Sequence, residues 1–195
     1  MKIISLTSSN KVLGQDPIHP HIGKTFRTTG NRWAWGCVIE DTIAVVSCVA
    51  FTKGIASSMN QIAEESASPD TAMFWTVYKT KEANQISELP TAVGAKALLE
   101  MVRHIDKTMP NINTFATLSP IPTLTNKFDI EPEDIDAVND WLSQRKDPVA
   151  RFHLRNGAKL HRVNRSADKS NLRMKQSYGM MVNYQYQLFL YFYFY

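Results

Sequence analysis

The sequence holds only two cysteines, Cys37 and Cys48, and they do not form a Cys-x-x-Cys pair. A zinc framework and a redox motif are therefore unsupported. Both lie in apolar, strand-like surroundings and read as buried free thiols of a reducing compartment. No apolar run approaches the roughly 18 residues of a membrane-crossing helix. The opening run Met1 to Leu6 is too short for a signal peptide, so a cytoplasmic location is expected by elimination. Nor is there a run of five or six like charges, which argues against a charged tail. No repeat or low-complexity stretch appears, apart from the aromatic ending Tyr191 to Tyr195.

What is present is ordinary for a globular chain. The sequence has 195 residues, 44% hydrophobic and 21% charged, enough for one domain with a packed core. A single domain over 1–195 is expected. The net charge of +4 suits a polyanionic ligand, but equally a loose nucleic-acid binder or nothing in particular.

Residues 1–30 carry weak signals. Ser8, Ser9, Asn10, Gly14, Pro17 and Pro20 read as irregular structure. His19 and His21 flank Pro20 and suggest a metal pair, but without a third nearby ligand a surface loop is the expectation. Residues 33–39 and 42–51, rich in Trp, Val and Ile and separated by Glu40-Asp41, read as a hairpin. Ser57 or Ser58 caps a short helix through Ile62. Residues 71–78 form another β-rich run, followed by a polar loop from Lys79 to Pro90. Residues 91–108 place Ala97, Leu98, Met101, Val102 and Ile105 on a helical stripe. Residues 113–118 read as a strand ending on Ser119-Pro120-Ile121-Pro122. Pro132 suits the first position of a helix carrying Ile135, Val138 and Leu142. Asp147 before Pro148 is an N-cap with Pro at the first position, on a short helix bearing Val149, Phe152 and His153 that Gly157 closes. Two β-rich stretches follow, 159–164 and 180–195. The layout is α+β.

The start of the 91–108 helix has a physical meaning of its own. Ala92, Val93, Gly94, Ala95 and Lys96 combine small residues with helix N–H groups that have no internal partner and favour an anion. A pyrophosphate would sit there, with Lys96, Lys81 or Lys79 adding charge, although small residues are common at helix starts.

Four segments together resemble the malonyl-CoA decarboxylase family. They are Thr52-Lys53-Gly54-Ile55 with Ser57-Ser58-Met59; Asp70-Thr71-Ala72-Met73-Phe74; Thr114 through Pro122; and Asp147 through Ala158, continued by Arg162, Asn164, Ala167-Asp168 and Met181-Val182-Asn183-Tyr184-Gln185-Tyr186. The resemblance runs with gaps from about residue 45 to about 188. It implies an N-acetyltransferase-like (GNAT) fold, with a mixed, mostly antiparallel central sheet flanked by helices. It also implies an acyl-CoA lying between splayed central strands, its pyrophosphate on the helix opened by Ala92 to Lys96. The family's catalytic Ser and His carry over to Ser119 and His153, and a tyrosine of the last strand to Tyr186. The sequence departs from the family in lacking the helical assembly domain and a long helical insertion between Ser119 and His153. Thr123 and Arg165 replace a usual glycine and tryptophan, and Ala92 stands where some members have Glu. A monomer or a small, weakly held oligomer is accordingly expected.

The activity implied is conversion of malonyl-CoA, or a malonyl group on a carrier protein, to the acetyl thioester and CO2. Such a reaction develops charge on an enolate and then needs a proton at carbon. Ser119 would hold the thioester oxygen or the carboxylate, and His153 would act as general acid, imidazole titrating near the working pH. No metal or organic cofactor is required, and neither a nucleic-acid nor a membrane partner is expected. Acyl transfer to an amine and non-catalytic acyl-CoA binding are the alternatives. His104 and His161 read as helix-surface and strand residues.

Overall fold

The computed structural model describes residues 1–90, 92–126, 130–131 and 133–187. Within them a central sheet of eight strands runs in the order β1-β2-β3-β4-β5-β8-β6, with β7 also paired to β8. The strands are β1 (Lys2–Leu6), β2 (Arg32–Ile39), β3 (Thr42–Thr52), β4 (Thr71–Lys79), β5 (Thr114–Thr117), β6 (Ser119–Pro120), β7 (Lys159–Asn164) and β8 (Met181–Tyr186). Only β4 and β5 are parallel; every other pairing is antiparallel. Five α-helices accompany them: α1 (Met59–Ala63), α2 (Val93–Thr108), α3 (Ile135–Ser143), α4 (Pro148–Arg155) and α5 (Asn171–Ser177). This is the α+β, mixed and mostly antiparallel layout expected. Among the described residues no helix is long and apolar enough to cross a membrane.

Local chemistry explains most of these elements. Glu40 and Asp41 both take positive φ, 47° and 58°, the backbone that lets a two-residue turn follow the twist of β2 and β3. Ser58 caps α1 through the Gln61 amide. Asp147 caps α4, its Oδ1 accepting from the Val149 and Ala150 amides at 2.8 and 3.1 Å, and Gly157 closes it at φ 79°. The stripe of Ala97, Leu98, Met101, Val102 and Ile105 is buried, seating α2 on one face of the sheet with α3 and α4. The other face is covered by α1 and residues 12–26, with Leu13, Ile62, Met73 and Trp75 at its core.

Several expectations are corrected. The opening residues are not all irregular: Lys2–Leu6 pairs with β2 as an outer strand. His19 is fully buried rather than on a surface loop, because residues 16–27 fold onto the sheet. Asp16 pairs with Arg27 at 2.6 Å and accepts from Thr76, while Arg27 donates to the carbonyls of His19 and Ile22. Between the two expected β-stretches near the end lies α5. The third helix starts at Ile135 behind an Asp134 cap, and Pro132 falls outside the described residues. So does residue 188 onward, including the aromatic ending.

Two irregularities open the sheet. The β4–β5 pairing ends at Phe74 and Thr117, with a last bond from the Leu118 amide to the Phe74 carbonyl. Beyond it β4 continues beside β3, while Ser119 and Pro120 follow β8. At the same point the β3–β4 register steps from Cys48–Thr76 to Val49–Phe74, leaving Trp75 as an extra residue on β4. Such a bulge bends its strand and re-aims side chains. The two strands therefore part into a cleft.

Candidate active site

The cleft is lined on one side by Phe74, Trp75, Thr76 and Val77 of β4 and on the other by Thr117, Ser119 and Pro120. Helix α4 closes it with Pro148, Val149, Phe152 and His153, and Ile18 reaches in from the 16–27 segment. The cleft has a volume of about 220 Å³ and opens to solvent. Among the described residues no lysine or arginine lines it.

Ser119, His153 and Tyr186 come together on three elements. Ser119 Oγ lies 3.1 Å from His153 Nε2, and the Tyr186 hydroxyl lies 2.8 Å from His153 Nδ1. All three residues are buried. The Tyr184 ring stacks on the imidazole at 4.7 Å and 22°. Thr123 Oγ1 donates to Asp147 Oδ2 at 2.9 Å, tying the turn after Ser119 to the cap of the helix that carries His153.

The hydrogen-bond directions fix the proton positions. Ser119 Oγ donates to Thr117 Oγ1 at 2.8 Å, so its oxygen accepts from His153. Nε2 then carries the proton, and Nδ1 accepts from the Tyr186 hydroxyl. The donors run in one direction, from Tyr186 through His153 and Ser119 to Thr117. In this arrangement the imidazole does not draw the Ser119 proton, as it would in activating a nucleophile. Burial holds the His153 pKa down at about 3, so the ring is uncharged at neutral pH. That corrects the expectation of a group titrating near the working pH: desolvation penalises the cation, and no carboxylate offsets it.

Ala92 to Lys96 open α2 as expected. Ala92 is in the left-handed region, φ 57°, without a side-chain cap. That backbone costs a non-glycine residue on the order of 1 kcal/mol. A β-carbon on Gly94 would lie 3.8 Å from the Phe152 ring, so the helix start adjoins the cleft wall. Lys79, Lys81 and Lys96 are exposed. Thr117 and Ile18 were not singled out in the sequence. Thr117 sits two residues before Ser119, on the same face of an extended run, a signal that period-two alternation offers. His19, His21 and Asp168 bring possible ligand atoms within 4.8 Å of one another.

The family model of the malonyl-CoA decarboxylase C-terminal domain matches residues 35–146 and 137–189. The chain is 25% identical over 220 residues to the mitochondrial malonyl-CoA decarboxylase of Anser anser anser, covering 78% of this chain and 43% of that protein. It is 26% identical over 212 residues to the enzyme of Mus musculus, covering 74% and 42%. The chain thus spans less than half the length of these curated relatives. Among solved structures, malonyl-CoA decarboxylase from Agrobacterium vitis superposes with a TM-score of 0.73 at 22% identity, covering 95% of this chain and 60% of that one. The GphF GNAT-like decarboxylase, solved with isobutyryl-CoA, gives 0.68 at 16% identity over 96% of this chain and 100% of that one. The fold is therefore GNAT-like.

Proposed function

The chain belongs to the malonyl-CoA decarboxylase C-terminal domain family, and from that premise we propose that it decarboxylates a malonyl thioester, with malonyl-CoA as the reference substrate. The observation that carries the reading is the line Tyr186–His153–Ser119 facing an apolar cleft that, among the described residues, has no cationic side chain. A malonyl carboxylate entering this cleft exchanges water for an environment that offers no counter-charge. Losing it as neutral CO2 relieves that cost, which is the direction decarboxylation needs.

As the carbon–carboxylate bond breaks, its electron pair moves to an enolate, and charge grows on the thioester oxygen. To meet that charge, the Nε2–H of His153 exchanges Ser119, and the Ser119 hydroxyl exchanges Thr117, for the thioester oxygen. His153 then delivers its Nε2 proton to the α-carbon, and the Tyr186 hydroxyl proton passes to Nδ1. The imidazole stays neutral throughout, as its lowered pKa demands, and the tyrosinate recovers a proton from solvent. The product is an acetyl thioester. The CoA pyrophosphate sits at the start of α2, residues Ala92 to Lys96, against the helix dipole and the Gly94 amide, with Lys96 adding charge; the Val93, Ala95 and Lys96 amides already donate to the Pro90 and Ala92 carbonyls. The GphF complex with isobutyryl-CoA supports an acyl-CoA ligand for this fold. A carrier-bound malonyl group is the other form the substrate can take. The buried thiols of Cys37 and Cys48 suit a reducing compartment, and we place the reaction in the cytoplasm.

The test is incubation of the purified protein with malonyl-CoA and with acetyl-CoA, following both thioesters by mass. Acetyl-CoA from malonyl-CoA is expected. His153→Ala should lower turnover by about 10²-fold or more with binding little changed. Ser119→Ala should lower turnover and also weaken binding, since its hydroxyl acts in the ground state too. Amine-dependent release of CoA would point instead to acyl transfer, and binding without turnover to a non-catalytic role.

A further inference from the structure

We propose that His19, His21 and Asp168 form a binding site for a zinc-like first-row divalent cation, which clamps residues 16–22 to the turn before α5. The sequence puts the two histidines two residues apart; the fold brings Asp168, from the far end of the chain, beside them.

The proton positions on His19 follow from its neighbours. Its Nε2 lies 3.1 Å from the Trp75 carbonyl, which can only accept, so Nε2 bears the hydrogen and Nδ1 presents a bare lone pair. That Nδ1 faces Asp168 Oδ2 at 3.9 Å. Both atoms are buried, and among the described residues neither has a hydrogen-bond partner. Two acceptors facing each other out of water repel unless a positive centre or a donor stands between them. A metal–ligand bond of about 2.0–2.2 Å to each spans 3.9 Å with an open ligand–metal–ligand angle. The exposed His21 ring, edge-on to His19 at 6.0 Å between centroids, supplies the third ligand. Two imidazoles and one carboxylate, with a position left for solvent, form a donor set that zinc accepts.

The surroundings support the ligands as such sites require. A ligating histidine characteristically donates its other N–H to a backbone carbonyl, and a ligating carboxylate is itself hydrogen-bonded. Here Trp75 takes the His19 proton, and the Ser170 amide donates to Asp168 Oδ1 at 2.9 Å. Two guanidinium groups are close, and each has a counterpart. Arg27 is met by Asp16 at 2.6 Å. Arg173 Nε lies 3.9 Å from Asp168 Oδ2, on the oxygen that would ligate. The competing occupant is a water molecule that accepts from Arg173 and donates to both lone pairs. Ile18 belongs to the clamped segment and lines the cleft, and its carbonyl accepts from Arg173. The ion would therefore hold one wall of the active site rather than take part in chemistry.

The full chain, stripped with a chelator and dialysed, is titrated with Zn2+ by calorimetry and with Co2+ by visible absorption. The expected result is one equivalent bound, with the absorption of low-coordinate cobalt and a higher melting temperature. His21→Ala, at an exposed position, should keep the fold and lower the affinity at least about tenfold. Asp168→Asn should lower it further, while His161→Ala on β7 should leave it unchanged. Absence of stoichiometric binding, equal affinity in His21→Ala, or a crystal structure grown with Zn2+ that shows water between His19 and Asp168 would overturn the site.

Discussion

Tyr186→Phe removes one oxygen and leaves the ring. That oxygen lies 2.8 Å from His153 Nδ1, and its loss strikes two measurable quantities. The first is stability. A buried imidazole nitrogen loses its donor, which costs about 1–3 kcal/mol; for a chain of this size each kcal/mol lowers Tm by roughly 2–4 °C. The second is proton supply. Neutral His153 can release its Nε2 proton readily only if another reaches Nδ1, and the Tyr186 hydroxyl is the group placed to give it. Positioned proton donors contribute about 10²–10⁴-fold. Because the imidazole N–H survives the substitution, a loss of kcat near 10²-fold is expected. KM should hardly move, since His153 stands between Tyr186 and the cleft. The assay is acetyl-CoA formation under saturating malonyl-CoA, run beside a thermal melt. The pH profile provides a second reading. With His153 held near 3, wild-type kcat should show no limb near pH 6.5 from this residue. A folded Tyr186→Phe protein with wild-type kcat would refute the relay, as would a kcat limb near pH 6.5 that vanishes in His153→Gln.

Further outcomes follow from the same structure. Gly94→Glu should fold, since its β-carbon meets Phe152 only at ordinary contact distance, yet CoA affinity by calorimetry should fall at least about tenfold as a carboxylate confronts the phosphates. Because the His153 pKa drops to about 3 on folding from about 6.5 unfolded, the unfolded chain takes up more protons between those values. Stability from this residue is therefore full above pH 6.5 and is lost as pH falls toward 3, at about 1.4 kcal/mol per unit. Urea midpoints between pH 7 and pH 5 should carry that slope together with a like one from His19, which burial also lowers to about 3, and His153→Gln should remove the His153 share and leave the other. Asp41→Gly relieves a non-glycine residue at φ 58° and should raise Tm by a few degrees, corresponding to about 0.5–1 kcal/mol.

Much of the fold was legible because its signals are local. The Glu40-Asp41 turn, the Ser58 and Asp147 caps, the stripe of α2 and the Gly157 terminator each depend on a handful of adjacent residues. Helix α5 left no such trace. It has seven residues, and those it buries are Arg173 and Ser177, so no apolar face marks it. Strand β1 is short and takes its identity from pairing with β2, some thirty residues away. The bulge at Trp75 arises from register against β3 and cannot be read from β4 alone. At the site, Ser119 reads locally as a turn residue and His153 as an ordinary helix residue. Only resemblance to a family joined them to Tyr186, and only the fold showed the imidazole to be uncharged. The burial of His19 was hidden for the same reason, since it rests on Asp16, Arg27 and Thr76 acting together across sixty residues.

The pairing of β5 and β6 with β8 has a consequence for how the chain is made. On a ribosome, Thr114 to Pro120 emerges some sixty residues before Met181 to Tyr186, its antiparallel neighbour. Until that neighbour arrives, one edge of β5 and β6 has open backbone groups and apolar side chains such as Phe115 and Leu118, a template for association with other nascent chains. Tyr186 lies on the same late strand. Synthesis interrupted before residue 181 would therefore leave a chain that is both incomplete in its chemistry and prone to self-association, and β8 supplies the remedy for both.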